Sequence, residues 1–110
     1  MRHANDRIYE LHAALCKALA HPARIKALDI LREGEECVCR LAPRVGVTES
    51  NLSQLLAALR RAGLVETRRK GHSVYYRVRD KRVFRVIDEM RGILTDQLTR
   101  AGGLAVPLQV

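Results

Sequence analysis

The chain has no tryptophan, one phenylalanine and three tyrosines, so aromatic residues make up only 4% of its 110 positions. A core must therefore be built from leucine, isoleucine, valine and alanine, which suits closely packed helices and excludes a large aromatic binding cleft. Apolar runs are short: none approaches the roughly 18 consecutive residues of a membrane-spanning helix. Near the start, Arg2, Asn5, Asp6 and Arg7 stand where a signal peptide would need apolar side chains. These two absences point to a cytoplasmic protein with no membrane partner. Cysteine is scarce as well. Three cysteines, an odd number without an export signal, argue for thiols in a reducing compartment instead of a disulfide framework.

Acidic residues are outnumbered, twelve against twenty lysines and arginines, leaving a formal charge of +8 and a pI near 10.1. Such a chain calls for a polyanionic partner, with nucleic acid ahead of an anionic membrane surface. The charge is also concentrated. Between Thr48 and Arg82 stand nine basic residues and three acidic ones, a net +6. A merely solubilising face has no reason to cluster in this way.

With 47% hydrophobic residues the chain holds enough apolar material for one modest core. Ile8, Leu11, Leu15 and Leu19 recur at helical spacing between Asn5 and Ala20, and the pattern stops at His21-Pro22. Pro22 suits the first turn of a second helix, carrying Ile25, Leu28 and Leu31 until Glu33-Gly34. A short helix over residues 36 to 45 places Val38, Leu41, Ala42 and Val45 on one face, and Gly46 turns the chain. Thr48 then caps a helix with Leu52, Leu55, Leu56 and Leu59 inward and Gly63 as its stop. Two β-rich arms flank Lys70-Gly71-His72 and predict a hairpin.

The last helix carries Val83, Val86, Ile87, Met90, Ile93, Leu94 and Leu98, an apolar stripe too broad for so small a core to cover. A second copy of the chain is the expected cover, through the first and last helices. The expected architecture is mainly α with a small β-hairpin, a winged helix-turn-helix. It forms a single domain over residues 1–100, followed by a loosely ordered tail over residues 101–110.

The helix after Gly46 has the composition of a DNA-reading element. Thr48, Ser50, Asn51, Ser53 and Gln54 offer short polar side chains at its N-terminal end, the end that meets base edges in the major groove. Asn and Gln pair bidentately with adenine, which makes Asn51 and Gln54 the candidates for sequence discrimination. Arg68, Arg69, Lys70 and His72 lie in or beside the hairpin tip, placed for phosphates or the adjacent minor groove. Arg60 and Arg61, at the far end of the helix, are phosphate contacts or ordinary solvated cations.

Three stretches carry a family resemblance: Leu19-Ala20-His21-Pro22-Ala23-Arg24, Cys37-Val38-Cys39-Arg40-Leu41-Ala42, and Asn51-Leu52-Ser53-Gln54 through Leu64-Val65. With Gly71 and Tyr75-Tyr76 in the hairpin, the chain resembles the ArsR/SmtB family of metal-responsive and thiol-responsive repressors over roughly residues 10 to 80. The resemblance implies a homodimer joined by helices at both ends of the fold, which binds double-stranded operator DNA when free of effector and needs no cofactor to do so. One departure is Leu55, where many members carry a histidine after the Ser-Gln pair. It shifts base contact onto Gln54 and Asn51. A second is the absence of histidine between Asp80 and Leu98, which removes the zinc site that other members build on the last helix.

Cys37 and Cys39 open the first helix of the helix-turn-helix, where the helix dipole favours thiolate. In a regular helix, residues two apart point about 200° from each other, so both sulfurs reach one ion only if the first turn distorts. That distortion is a candidate switch. The arsenic-sensing members that the chain resembles add a third cysteine three residues on, where this chain has Ala42. Cys16 is the remaining thiol, four residues after His12. It joins the pair in the same protomer, joins it across the dimer, or is a buried small side chain. Sulfur ligands favour arsenite, antimonite, cadmium, lead or copper(I), with trivalent arsenic first because three thiolates suit it.

A second reading keeps the fold and makes the thiols a redox or reactive-sulfur sensor, with Cys16 bridging to Cys37 or Cys39 on oxidation. A thiol oxidoreductase is disfavoured, because the chain lacks alternating strands and helices and no general base stands beside the thiols. An architectural DNA binder without an effector is the fourth class.

Overall fold

The computed structural model describes residues 5–102. Helix α1 spans Asp6–Leu19 and stops ahead of Pro22, which has no N–H to offer a continuing helix. The proline instead opens α2, Pro22–Ile30, and the His21 imidazole caps it by accepting the Ala23 N–H at 3.1 Å. A 3-10 turn, Leu31–Glu33, leads to a two-residue strand β1, Glu36–Cys37. Then come α3, Val38–Val45, and α4, Glu49–Arg61, separated by Gly46, whose φ of +95° makes the turn. Strands β2, Val65–Lys70, and β3, Ser73–Val78, form the hairpin, and α5 runs from Arg82–Arg100.

The two-stranded hairpin expected from the sequence is a three-stranded antiparallel sheet in the order β1-β3-β2. Glu36 pairs with Tyr76 and Cys37 with Tyr75, so the segment read as the start of a helix is an edge strand first. Two residues show no alternation, which is why periodicity assigned them to α3. In β2 and β3 the register runs from Val65 opposite Val78 to Lys70 opposite Ser73. Gly71 takes the first corner of the turn with φ +64°, a conformation that strains any L side chain.

Leu28, Leu41, Leu52, Leu56, Leu59 and Val65 are fully buried and hold α2, α3, α4 and the sheet together. Each such leucine contributes about 2 kcal/mol by leaving water. Leu55, expected in this stripe, is only half-buried. By contrast α1 and α5 leave much of their apolar surface uncovered: Ile8, Leu11, Leu15, Val86, Met90, Ile93 and Leu94 are each 40–64% exposed. Val83 and Ile87 are the buried anchors of α5. Tail residues 103–110 lie outside the described residues.

Charge positions α5 against the core. The buried Asp29 carboxylate on α2 accepts from Arg32 Nε at 2.9 Å and from Arg91 Nη2 at 2.6 Å. Arg32 then reaches both carboxylate oxygens of Asp88 on α5, at 2.6 and 3.1 Å, and lies over the Phe84 ring. Asp29 thus anchors two arginines and is the buried carboxylate through which both reach α2. Asp29→Asn is expected to lower unfolding free energy by about 2–3 kcal/mol, below the full cost of breaking a buried pair because both arginines keep some solvent contact. Urea denaturation checks this, and an unchanged midpoint would show that α5 docks through Val83 and Ile87 alone.

Candidate nucleic-acid interface and thiol pair

Helices α3 and α4 with the Gly46 turn form a helix-turn-helix, and the β2–β3 hairpin follows directly as a wing. Thr48 begins α4 as its N-cap, its Oγ1 accepting the Asn51 N–H at 3.1 Å. Ser50, Asn51, Ser53 and Gln54 are all exposed at this end of the helix, while Leu52 and Leu56 hold the opposite face in the core. The sequence-derived reading residues therefore share one accessible surface, with Thr48 spending an acceptor position on the cap. Arg24, to which spacing had assigned no role, donates from Nε to the Leu55 carbonyl at 2.8 Å and ties α2 to the middle of α4.

The wing cations differ from one another. Arg68 makes a forked bond to Glu35, with Nη2 to Oε1 at 2.7 Å and Nε to both carboxylate oxygens at 3.1 and 3.2 Å. This contact pushes the Glu35 carboxyl below its ordinary range and the Arg68 guanidinium up. The pair is complete above the ordinary carboxylate range and is lost only as pH falls through the lowered Glu35 value. Arg77 pairs with Glu66 at 2.7 Å across the hairpin. Arg82 holds Asp80 through its guanidinium and its backbone N–H, pulling that carboxyl down to about 2. Arg69, Lys70 and His72, exposed at the tip, have no carboxylate partner among the described residues. Arg68, grouped with them from the sequence, is therefore occupied by an acid. Neither Glu35 nor Glu66 was flagged, because no motif marks pairs separated by 33 and 11 residues in sequence.

The cysteines depart most from expectation. Cys37 and Cys39 are joined by a disulfide, with their Cα atoms 5.2 Å apart, and Cys16 is free and exposed on α1. The opposed directions argued for a regular helix do not apply, because Cys37 lies outside α3. As N-cap it has extended backbone angles, φ −67° and ψ +140°, which turn its sulfur over the first turn toward Cys39. Cys37 Sγ also accepts the Cys39 N–H at 3.2 Å, the task usually given to a serine or threonine oxygen. Pro43 lies within α3 and has no N–H to give the Cys39 carbonyl, so that carbonyl lacks its usual helical partner. Cys37 is buried and Cys39 exposed. Among the described residues of one protomer no three His, Cys, Asp or Glu side chains gather in a metal-binding group, so only two of the three expected sulfurs come together.

This arrangement of helix-turn-helix, basic wing and flanking helices defines the winged helix-turn-helix class of DNA-binding proteins. Residues 21–67 match the model described as bacterial regulatory protein, arsR family. The HTH-type transcriptional regulator Rv0081 of Mycobacterium tuberculosis is 38% identical, over 92% of this chain and 97% of its own. Its crystal structure superimposes with a TM-score of 0.78 over 87% of this chain and 97% of that one. The homodimeric winged helix-turn-helix DNA-binding domain of Mb0332 from Mycobacterium bovis gives 0.78 at 31% identity, covering 91% and 93%. The biofilm growth-associated repressor of Agrobacterium fabrum is 38% identical over 74% of this chain and 69% of its own. The chain belongs to the arsR family of bacterial regulatory proteins. No helix among the described residues is long and apolar enough to cross a membrane.

Two measurements test the interface. Asn51→Ala and Gln54→Ala should each cost about 1–3 kcal/mol at a cognate duplex and leave binding to random duplex unchanged. With about six to eight phosphates neutralised per dimer, log affinity should fall against log salt with a slope of roughly −5 to −7. Arg69→Ala or Lys70→Ala should flatten that slope by about 2, one contact in each protomer. A slope that ignores both substitutions would remove the wing tip from the interface.

Proposed function

We propose that the protein is a homodimeric transcriptional repressor that binds operator DNA while Cys37 and Cys39 are separate thiols and releases it when the two sulfurs are tied together. The observation that carries this reading is the position of the pair, at the N-cap of the helix packed against the recognition helix. The exposed polar end of α4 and a wing tip whose Arg69 and Lys70 make no salt bridge among the described residues support duplex DNA as the partner. The uncovered stripes of α1 and α5 support a dimer through those helices, and the repressor among its relatives supports the direction of control.

Disulfide formation is the favoured tie, because the sulfurs are already adjacent and bonded. One thiolate attacks hydrogen peroxide to give a sulfenic acid, and the second thiol displaces water from it. Two thiols and one peroxide yield one disulfide and two waters. Closing the bond sets the first turn of α3, on which α4 rests, and so shifts the spacing of the two recognition helices in the dimer.

Bridging by arsenite or antimonite is the second reading, favoured by two soft ligands on the same side of one turn. Its third ligand would be Cys16 of either protomer or a group from solvent, and cadmium or lead are softer-metal variants of the same chemistry.

Fluorescence anisotropy on a palindromic duplex, with peroxide, arsenite and cadmium titrated separately, tests these readings. Peroxide is expected to release the wild-type protein and to leave Cys37→Ser and Cys39→Ser bound, with Cys16→Ser behaving as wild type. Release by arsenite but not by peroxide would replace the disulfide with a metalloid. Release from the double serine variant would end the thiol reading altogether. Leu94→Glu should give a monomer by sedimentation and lose roughly 100-fold or more in operator affinity, the scale of avidity lost with a second half-site.

A further inference from the structure

The acid that holds the wing stands immediately before the strand that ends at Cys37. Glu35 lies two residues before Cys37 and reaches Arg68 on β2. Cys37 pairs with Tyr75 and Tyr75 with Arg68, so one row crosses all three strands from the sulfur to the wing arginine. Partners opposite one another in an antiparallel sheet share a face, and the Glu35–Arg68 fork lies across that face from edge to edge. A second acid, Glu36, accepts the Cys37 N–H at 2.9 Å and fixes the strand end between the two. Cys37 and Glu35 are thus joined by a short stretch of chain, and Glu35 is joined to the hairpin by its fork on Arg68.

We propose that Glu35 is a positioning residue for DNA binding: it withholds Arg68 from the phosphates and clamps the wing to β1, so that the state of the Cys37–Cys39 pair reaches the wing tip. The withholding half stands on the ion pair alone. The coupling half rests on the thiol-controlled reading above. A guanidinium forked on a carboxylate has its best donors occupied, so a phosphate must compete with Glu35 for it. Arg69 and Lys70, which make no salt bridge among the described residues, remain the contacts that bind DNA, and the fork sets the angle at which the hairpin presents them.

Salt titrations of the reduced protein on a fixed duplex test the first half. Arg68→Ala should leave the log–log slope within about 0.5 of wild type, whereas Glu35→Gln should steepen it by about 2, as one released cation per protomer gains a phosphate. A slope flattened by about 2 in Arg68→Ala would show that Arg68 is an ordinary phosphate contact and overturn the withholding role.

Peroxide tests the second half. Wild type should lose roughly tenfold or more in affinity, within the usual span of allosteric coupling, and Glu35→Gln should lose less than about twofold. The charge-swapped protein, E35R with R68E, should recover the wild-type response, which a role in folding alone would not predict. A full response in Glu35→Gln, or none in the swap, would overturn the clamp. If wild type itself ignores peroxide, the thiol reading and the coupling half fall together, while the salt slopes still decide whether Arg68 is withheld.

Discussion

Cys37 is the junction on which the rest of the arrangement depends. Its backbone closes β1 against Tyr75, its extended φ and ψ end the strand, and its sulfur caps α3 by accepting the Cys39 N–H. A serine could serve as cap, and a valine could serve the strand. Only cysteine does both and also bonds covalently to the residue two positions on. A weak sulfur acceptor at a helix start costs some stability relative to an oxygen, and Pro43 withholds a further bond from the same turn. The first turn of α3 therefore has one backbone hydrogen bond fewer than a regular helix and a sulfur for its cap.

The outer helices follow a different logic. Charge docks α5 onto α2: the buried Asp29 takes one arginine from the 3-10 turn that follows its helix and one from α5, and Asp88 completes the link. Because Val83 and Ile87 suffice for the apolar part of that contact, Val86, Met90, Ile93 and Leu94 are left facing outward. Ion pairs give direction at little net gain, and apolar surface gives association without direction. Placing the first inside the protomer and the second on its outside fixes the angle of α5 before a second copy arrives.

What the sequence made legible is local. The break at His21-Pro22, the Thr48 cap, the Gly71 corner and the polar end of α4 each depend on residues within four positions of one another, and the structure has them where local rules put them. β1 escaped because two residues have no period. The sulfur pairing escaped because Cys37 was treated as helical, and a cap obeys different angles from a helix. Glu35 with Arg68 and Asp29 with Arg91, 33 and 62 residues apart, were invisible because surface charges carry no label of their partner. The candidate DNA surface was thus readable as a set of residues, while the connections that orient it were not.

Those connections change what the basic composition means. Of the nine cations between Thr48 and Arg82, Arg68, Arg77 and Arg82 already face carboxylates, so the net charge of that segment overstates what is offered to DNA. Arg60 and Arg61 sit at the C-terminal end of α4, where the helix dipole already holds cations. The accessible positive charge that is left lies in Arg69 and Lys70 at the hairpin tip and in Arg79 and Lys81 at the hairpin's other end. When affinity rests on few contacts, the angle at which they are presented outweighs the total charge. A dimer counts every contact twice, so under the proposed control a slight movement of a two-residue strand would change binding without unfolding any part of the protein.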